Sequence, residues 1–277
     1  MKSKGKFIVF EGIDGSGKST QMKKLSESLA AKGIKSRLTL EPTYGMVGGL
    51  LHDILSGKIK ADPKVTAALF VADRLDHITN QTDGVLKSLE NGETVICDRY
   101  YFSSYAYQST EVPSAWVVDA NSLCADTLRP DCTIFIDITP QTAMERILTN
   151  RDTVEIYETE EKLTKVRDSY FAAFEKMKDC ETVKIINGER SVDEIAAEIV
   201  KEMFNDECNN LKRWLSGEPC LVKHPRRENT YAEIEVGDDH EALYYFLEYC
   251  RKLAANERMS DELIGHVLLI VTRSQKS

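Results

Sequence analysis

A glycine-rich segment near the start of the sequence carries the strongest chemical signal. Residues 12–19 read Gly-Ile-Asp-Gly-Ser-Gly-Lys-Ser and fit the pattern G-x-x-x-x-G-K-[ST], between an apolar run and a segment of helical spacing. Glycines let backbone N–H groups surround phosphate oxygens at a helix start, while Lys18 adds a cation and the Ser19 hydroxyl can ligate magnesium. The segment therefore predicts a site for a nucleoside triphosphate with Mg²⁺. The candidate residues are Gly12, Ile13, Asp14, Gly15, Ser16, Gly17, Lys18, Ser19 and Thr20.

A carboxylate and a guanidinium follow the third apolar run of the chain. Asp98 and Arg99 come directly after Thr94 to Cys97. Open parallel sheets hold ligands at the carboxyl ends of their strands, where an acid can organise magnesium and an arginine can hold a second phosphate. A surface ion pair at a strand end is the alternative. The sequence argues against a GTPase, because it has no N-K-x-D segment and no D-x-x-G after the third strand.

Three side chains of a predicted helix share one face. Phe70, Arg74 and His77 fall at positions i, i+4 and i+7. An aromatic ring one turn from an arginine can stack on a base while the guanidinium holds a phosphate of the same nucleotide. Spacing alone favours a plainer interpretation, with Phe70 in the core, Arg74 paired with Asp73 or Asp76, and a structural His77.

These groups need a scaffold that brings them together, and the sequence predicts an α/β domain. Short β-branched runs alternate with helical segments over the first two hundred residues, which indicates a parallel sheet of five strands with helices on both faces. The predicted strands are Lys6 to Phe10, Ser36 to Leu40, Thr94 to Cys97, Thr133 to Ile138 and Thr182 to Ile186. Gly33 ends the helix that begins near Lys18, and Asn91-Gly92 end a long helix that begins near Asp62-Pro63.

Composition excludes several classes of protein. The chain has 277 residues, of which 42% are hydrophobic, so it can bury a core and is not a disordered chain. With 36 basic and 45 acidic side chains and a net charge of −9, we expect no nucleic-acid partner. The seven cysteines are spaced singly, which favours reduced thiols over a zinc site. No apolar stretch is long enough for a membrane span, so we expect a cytoplasmic protein.

The last part of the sequence has a different order of elements. We expect the α/β domain to occupy residues 1–205 and a small α+β extension of unknown role to occupy residues 206–277. In this extension, Thr230 to Val236 and Gly265 to Thr272 are predicted strands, and Asp239 to Ala255 is a predicted helix. An apolar stripe on that helix is expected to pack within the chain, with a dimer contact or a partner as alternatives.

Several segments together resemble thymidylate kinases. They occur in the order of that family and cover about residues 5–205. The segments are Phe10-Glu-Gly-Ile-Asp-Gly-Ser-Gly-Lys-Ser-Thr20, Glu41-Pro42, Leu69-Phe-Val-Ala-Asp-Arg74, Asp98-Arg-Tyr-Tyr-Phe-Ser-Ser-Tyr-Ala-Tyr-Gln108 and Arg129-Pro-Asp-Cys-Thr-Ile-Phe-Ile-Asp137. The resemblance implies a three-layer P-loop kinase fold and a homodimer. It also implies transfer of the ATP γ-phosphoryl group to dTMP, giving dTDP and ADP.

The resemblance also implies roles for individual residues. Phe70 stacks on thymine, which reverses the preference that spacing alone gave for that residue and for Arg74. Asp14 lies near the sugar 3′-hydroxyl, and Asp98 joins Ser19 in supporting Mg²⁺. The implied acceptor-binding residues are Asp14, Glu41, Phe70, Arg74, Arg99, Ser104, Tyr105 and Gln108, with Arg74 and Arg99 on the acceptor phosphate and the last three around the base.

An arginine is also implied near the transferred phosphoryl group. Thymidylate kinases carry a basic residue inside the P-loop or supply arginines from a mobile lid, and position 16 here is serine. The lid candidates are Arg146, as an ATP-binding residue, and Arg151, as a catalytic residue beside Lys18 and Arg99. Both could instead decorate a helix end, where the helix dipole stabilises cations.

Departures from the family pattern leave other functions open. Leu40 stands where an arginine often precedes Glu41-Pro42, and Ser109 follows Gln108 where glycine is common. One alternative is a kinase for another nucleotide or deoxynucleoside acceptor. The other is a nucleotide-binding regulatory protein whose extension binds a partner.

Overall fold

The chain divides into two compact units, Met1–Ile199 and Val200–Ser277. The computed structural model describes residues 5–150, 159–215, 220–223 and 231–234. The predicted lid residue Arg151 lies outside the described residues. The domain boundary at residues 205 and 206 stays a prediction.

A five-stranded, all-parallel sheet lies at the centre of the first unit, which confirms the predicted fold class. The strands stand in the spatial order β2-β3-β1-β4-β5. Their bounds are β1 (Phe7–Glu11), β2 (Ser36–Leu40), β3 (Thr94–Asp98), β4 (Cys132–Asp137) and β5 (Val183–Asn187). Each lies within one residue of the predicted strand. The three central strands are buried almost throughout, since continuous apolar runs suit a sheet that is covered on both faces.

The strand order creates a crevice between β1 and β3. The chain leaves β1 toward the edge strand β2, but it leaves β3 toward β4 on the opposite side, so the two connections diverge. The parallel register pairs Phe10 with Asp98, which brings the ends of the two strands level. The glycine-rich segment and the Asp98-Arg99 pair therefore meet at the point where open α/β sheets bind ligands.

Helices surround the sheet. They are α1 (Lys18–Ala31), α2 (Met46–Leu55), α3 (Pro63–Thr79), α4 (Val85–Glu90), α5 (Tyr101–Tyr107), α6 (Ser114–Thr127), α7 (Pro140–Asn150), α8 (Glu160–Met177) and α9 (Val192–Leu215), and a 3-10 turn spans Gln108–Thr110. Helix α8 packs its aromatic residues against β4, where the ring of Phe135 lies 4.9 Å from that of Tyr170 and 5.0 Å from that of Phe174. This packing fixes α8 beside the sheet.

The prediction of one long helix from Asp62-Pro63 to Asn91-Gly92 is wrong, because the chain turns between α3 and α4. The Asn80 side chain accepts a hydrogen bond from Thr82 N at 2.9 Å, and Gly84 N donates to Asn80 O at 2.9 Å. A Cβ at Gly84 would lie 2.4 Å from that carbonyl oxygen. Asparagine and glycine are typical turn residues for these reasons, and sequence periodicity overlooked them.

The described part of the second unit includes an antiparallel pair, β6 (Cys220–Lys223) and β7 (Tyr231–Ile234). Strand β7 lies inside the predicted strand Thr230 to Val236, and β6 was not predicted. The predicted helix Asp239 to Ala255 and strand Gly265 to Thr272 lie outside the described residues. Among the helices of the described residues, none combines the length and the apolar character needed to cross a membrane.

Candidate active site

A cavity of about 1030 Å³ opens at the carboxyl ends of β1 and β3. Its lining combines the glycine-rich segment, the ends of β2 and β3, one face of α3, part of α5 and the segment after β5. Elements that are distant in the sequence therefore contribute to one space. The volume is large enough for more than one small polar ligand.

The glycine-rich segment, residues 12–19, forms a tight loop before α1. Gly12 has φ 148°, and a Cβ there would lie 2.7 Å from Ser16 Oγ, so the loop requires glycine at this position. The buried Lys18 reaches back across the loop, where its Nζ donates to Gly12 O at 3.1 Å and Ile13 O at 3.3 Å. Burial lowers the pKa of Lys18, and Arg99 lowers it further, while nearby carboxylates act in the opposite direction. Ser16 Oγ is buried and has no hydrogen-bond partner within the described part of the chain, which suits a phosphate oxygen.

Arg99 lines the cavity, and several groups hold its guanidinium. Nη2 donates to Asp14 Oδ1 at 2.6 Å and to the Tyr107 hydroxyl at 3.1 Å. Nη1 donates to Ser103 Oγ at 3.0 Å and to the Tyr170 hydroxyl at 3.3 Å. The guanidinium carbon also lies 4.8 Å from the centre of the Tyr107 ring. Groups from three parts of the fold, the glycine-rich loop, α5 and α8, thus hold this cation in one position.

The backbone of Arg99 adopts an unusual conformation at this position. Its φ of 68° lies in the left-handed region, which costs a residue with a side chain of the order of 1–3 kcal/mol. Its N–H donates to Phe10 O at 2.8 Å, and the next N–H, of Tyr100, donates to Glu11 Oε1 at 2.9 Å. These bonds to β1 hold the turn that directs the side chain into the cavity.

Asp14 is an ionised acceptor beside this cation. Burial acts to raise its pKa, but Arg99, Lys18 and the Tyr107 hydroxyl outweigh that effect and lower the pKa to about 2. The Tyr107 hydroxyl donates to Asp14 Oδ2 at 3.0 Å. At neutral pH the Asp14 carboxylate can therefore accept hydrogen bonds from a ligand hydroxyl but cannot donate one.

A buried ion pair fixes the second arginine of the cavity. Arg74 Nε donates to Glu41 Oε2 at 2.7 Å, and Nη1 donates to Ser104 Oγ at 3.1 Å and to Asn121 Oδ1. The carboxylate of Glu41 also accepts from His77 Nδ1 at 3.0 Å. The guanidinium is 1% exposed, so its remaining surface is presented only to the cavity wall. Its orientation is set before any ligand binds.

The interpretation that paired Arg74 with a neighbouring acid is wrong. Asp73 instead accepts from Thr43 N at 2.8 Å and Thr43 Oγ1 at 2.6 Å. Successive residues of a helix point about 100° apart, so Asp73 faces the loop after β2 while Arg74 faces Glu41. The partner of Arg74 is distant in the sequence, and local spacing could not have found it.

Glu41, His77 and Cys97 form the cluster of potential metal ligands found among the described residues. Their ligand atoms lie within 4.8 Å of one another. Both nitrogens of His77 are already hydrogen-bonded, Nδ1 to Glu41 and Nε2 to Thr39 Oγ1 at 2.7 Å. The cation of Arg74 also lies against Glu41. The arrangement is therefore a hydrogen-bonded support for Arg74, not a metal site.

A pair of oxygen ligands lies beside the glycine-rich loop. Ser19 Oγ donates to Asp98 Oδ2 at 3.4 Å, while Asp98 Oδ1 is buried and none of the described residues donates a hydrogen bond to it. A hydroxyl and a carboxylate oxygen are ligands that Mg²⁺ accepts, and it usually completes its shell with water and phosphate oxygens. The residues present therefore fit a magnesium ion at this place.

Comparison with known proteins identifies the family. The family profile described as thymidylate kinase matches residues 10–199. The chain belongs to the thymidylate kinase family. The probable thymidylate kinase of Methanocaldococcus jannaschii is 37% identical over 202 residues, which are 72% of this chain and 96% of that protein. The thymidylate kinase of Leptospira borgpetersenii is 36% identical over 195 residues, 70% of this chain and 91% of that protein. The probable thymidylate kinase of Pyrococcus horikoshii is 36% identical over 203 residues, 71% of this chain and 95% of that protein.

Most of the residues that the resemblance to thymidylate kinases singled out line the cavity. They are Asp14, Gly15, Ser16, Gly17, Lys18, Ser19, Thr20, Glu41, Phe70, Arg74, Asp98, Arg99, Ser104, Gln108 and Arg146. Gly12 and Ile13 belong to the loop but not to the cavity lining, and their carbonyl groups accept from Lys18 Nζ. Arg146 Nη2 donates to Gly188 O at 3.0 Å, which holds α7 near the end of β5.

Tyr105 is not among the described residues that line the cavity. It is buried in the aromatic core, with its ring 5.5 Å from that of Tyr101 and 5.6 Å from that of Phe102. Ser104, Tyr107 and Gln108 share a face of α5 and the following turn at the spacing i, i+3 and i+4, and all three line the cavity. Helical spacing would have selected Tyr107 instead of Tyr105.

Sequence reasoning missed a further wall of the cavity. Arg190, Val192 and Ile195 line it from the segment after β5 and the first turns of α9. Gln21 of α1 ties this wall to the glycine-rich loop, since its Nε2 donates to Val192 O at 2.9 Å. The position of this segment in the sequence could have identified it, because the residues that follow each strand of a parallel sheet lie at the same edge of the sheet.

The ion pair of Arg74 and Glu41 yields a prediction about stability. Replacing Glu41 by glutamine leaves the buried guanidinium without a counter-ion, so we expect Glu41→Gln to lower the free energy of unfolding by about 3–5 kcal/mol. Urea unfolding followed by circular dichroism measures the change. Glu161→Gln is the matched control, because Glu161 pairs with Lys165 on the exposed surface of α8 and its loss should leave the midpoint unchanged. Equal urea concentrations at the midpoint of unfolding for the two variants would contradict the prediction.

Proposed function

We propose that this protein transfers the γ-phosphoryl group of ATP to dTMP, giving dTDP and ADP. The observation that carries the proposal is the arrangement of two phosphate-binding cations in one cavity, Lys18 on the glycine-rich loop and Arg99 at the end of β3. Membership of the thymidylate kinase family supports dTMP as the acceptor. As a nucleoside monophosphate kinase, the protein is a phosphotransferase.

The reaction needs no nucleophile from the protein. A phosphate oxygen of the acceptor is already anionic and attacks the γ-phosphorus in line, while ADP leaves. The protein contributes by positioning the two nucleotides and by neutralising the charge that spreads over the transferred group. Lys18 and the N–H groups of the glycine-rich loop hold the donor phosphates, and Arg99 holds the acceptor phosphate.

We assign the donor nucleotide to the side of the cavity that contains α7 and the segment after β5. Arg146, Arg190 and Val192 line this side next to the glycine-rich loop. Ser19 and Asp98 would hold Mg²⁺, which supplies charge neutralisation on the donor phosphates when it is bound. Arg151 remains our candidate for the lid arginine that acts on the transferred group.

We assign the acceptor nucleotide to the side that contains α3 and α5. Phe70 offers a ring for stacking on the base, and Asp14 offers an ionised acceptor for the sugar 3′-hydroxyl. The Gln108 side chain is buried, and its Oε1 has no hydrogen-bond partner among the described residues. A thymine ring carries an N–H donor between two carbonyl groups, so Gln108 Oε1 can accept from that N–H. Arg74, held by Glu41, contributes its cation to the same side.

An acceptor panel tests the proposed reaction. The measurement is a coupled assay of ADP release by the full chain with ATP and Mg²⁺. We expect rapid release with dTMP and at least tenfold slower release with dUMP, dCMP, dGMP and thymidine. Lys18→Ala should lose most of this turnover because it removes a cation from the transferred phosphates. Lys23→Ala, at an exposed position on the same helix, is the control. Preference for another acceptor, or ATP binding without any turnover, would contradict the proposal and favour another kinase or a regulatory protein.

The base contact of Gln108 gives a second test. Gln108→Leu keeps the size of the side chain but removes the acceptor oxygen, so we expect the KM for dTMP to rise about tenfold while the KM for ATP changes less than twofold. Ser109→Ala is the control, because its buried Oγ also lacks a partner among the residues that the structure describes, but Ser109 is not part of the cavity lining. An unchanged KM for dTMP in Gln108→Leu would exclude this contact.

We also propose that the protein is a homodimer. Helices α2, α3 and α6 pack side by side and present large apolar side chains to solvent. These residues are Met46, Leu50, Val65, Trp116 and Leu123. Contiguous patches of exposed apolar surface mark interaction sites on proteins, and we assign these side chains to contact with a second copy of the chain.

Sedimentation equilibrium tests the dimer. We expect twice the mass of the 31.3 kDa chain for the unsubstituted protein and a single chain mass for Leu123→Glu, which places a charge on the apolar surface. Leu148→Glu is the control, since Leu148 is 64% exposed on α7 and Leu123 is 60% exposed on α6. A single chain mass for the unsubstituted protein would rule the dimer out.

A further inference from the structure

One fully buried carboxylate next to the cavity has no part in the reaction described above. Glu11 is the last residue of β1 and directly precedes the glycine-rich loop, and it is 0% exposed. Removing a carboxylate from water is costly unless hydrogen bonds replace the water. The contacts of Glu11 therefore indicate why a charge is kept at this position.

Four donors converge on the two oxygens of Glu11. Oε1 accepts from Tyr100 N at 2.9 Å and from Ser103 N at 3.1 Å. Oε2 accepts from Ser103 Oγ at 2.6 Å and from the Tyr170 hydroxyl at 2.8 Å. An ionised carboxylate accepts hydrogen bonds and donates none, and four donors match its capacity. Glu11 thus joins β1 to the start of α5 and to the middle of α8.

The same two hydroxyls also contact Arg99. Its Nη1 lies 3.0 Å from Ser103 Oγ and 3.3 Å from the Tyr170 hydroxyl. A guanidinium donates and never accepts, whereas the Glu11 carboxylate only accepts. Ser103 Oγ also lies 2.8 Å from the Tyr170 hydroxyl, so one of the two hydrogens can instead be shared between them. When both hydroxyls donate to Glu11, each presents a lone pair to Arg99, whose Nη1 also donates to Gly12 O at 3.3 Å. The charge on Glu11 favours this direction of the two hydroxyl contacts.

Opposing effects act on the pKa of Glu11. Burial raises this pKa above its usual value, and the hydrogen bond from Ser103, the charge of Arg99 and the hydrogen bond from Tyr170 oppose that rise. The other charged groups around Arg99 are Asp14, which accepts from Nη2, the neighbouring Asp98, and Lys18 on the glycine-rich loop. Arg99 is thus held by one carboxylate directly and by a second through two hydroxyls.

We propose that Glu11 is a positioning residue for the acceptor phosphate, acting through Ser103 and Tyr170 on the Arg99 guanidinium. The inference rests on the proposed function, in which Arg99 holds that phosphate. A merely structural role, in which Glu11 only ties α5 and α8 to the sheet, predicts lost stability without a selective effect on the acceptor. The two roles differ in which Michaelis constant changes.

A double-mutant cycle tests the coupling between Glu11 and Arg99. Glu11→Gln keeps the shape but turns an acceptor into a donor, so the two hydroxyls lose their fixed direction. We expect the KM for dTMP to rise about tenfold and the KM for ATP to change less than twofold. In an Arg99→Lys background, the same substitution should change the KM for dTMP less than twofold, because the guanidinium through which Glu11 acts is absent.

Glu181→Gln is the matched control. Glu181 is also a largely buried carboxylate that accepts from a tyrosine hydroxyl, that of Tyr101 at 2.7 Å, and it pairs with Arg129 away from the cavity. We expect it to lower stability and to leave both Michaelis constants within twofold. An equal rise of the dTMP and ATP constants in Glu11→Gln would overturn the proposal. A full additional effect in the Arg99→Lys background would also overturn it.

A second variant covers the case in which Glu11→Gln does not fold. Tyr170→Phe removes one bridging hydroxyl and keeps the packed ring, so we expect at least a threefold rise of the KM for dTMP and no further rise in the Arg99→Lys background. An unchanged KM would overturn the proposal. Failure of the proposed function is seen separately, as absent turnover of dTMP by the unsubstituted chain. The cycle is then run with the monophosphate that this chain does phosphorylate, or by calorimetric binding of dTMP.

Discussion

The position of one guanidinium, that of Arg99, organises the rest of this active site. Its backbone is bent into the left-handed region, and its two terminal nitrogens are bound to groups from the glycine-rich loop, α5 and α8. None of these contacts exists unless the parallel sheet first sets the ends of β1 and β3 level. The fold therefore places the cation, and the buried carboxylates on either side keep it charged and oriented.

The balance of charge around this cation is what makes the cavity suitable for two anionic nucleotides. Lys18 and Arg99 supply positive charge in a buried space, where it acts on phosphates more strongly than it would in water. Asp14 and Asp98 offset part of the repulsion between the two cations, and in the proposed reaction their oxygens would receive a hydroxyl and a metal ion. Arg74 follows the same principle, since Glu41 and its hydrogen-bonded neighbours hold it before a ligand arrives.

The sequence predicted the parts of this structure that depend on local patterns. Continuous apolar runs marked the five strands within one residue, and the glycine-rich motif marked its own loop. It failed where an outcome depended on a single turn or on contacts across the fold. The break at Asn80 and Gly84 interrupts a periodic helix pattern. The counter-ion of Arg74 is Glu41, which lies more than thirty residues away in the sequence. Tyr105 was selected because it belongs to the motif, although its side chain is buried in the aromatic core.

The second unit adds about a quarter of the chain beyond the region that matches the thymidylate kinase family. Its described strands, β6 and β7, pair with each other in an antiparallel register. Nothing in the reaction proposed for the first unit requires a residue of the second. The catalytic argument therefore depends on Met1–Ile199 alone, where every residue that it uses, apart from Arg151, is described.

A crystal structure of the full chain with dTMP and a non-hydrolysable ATP analogue would test the placement of Arg99 most directly. We expect its guanidinium to lie about 3 Å from the acceptor phosphate oxygens while Nη1 keeps both hydroxyl contacts. Those contacts are with Ser103 and Tyr170. An acceptor phosphate bound elsewhere in the cavity, with Arg99 paired only to Asp14, would contradict the central role of this cation.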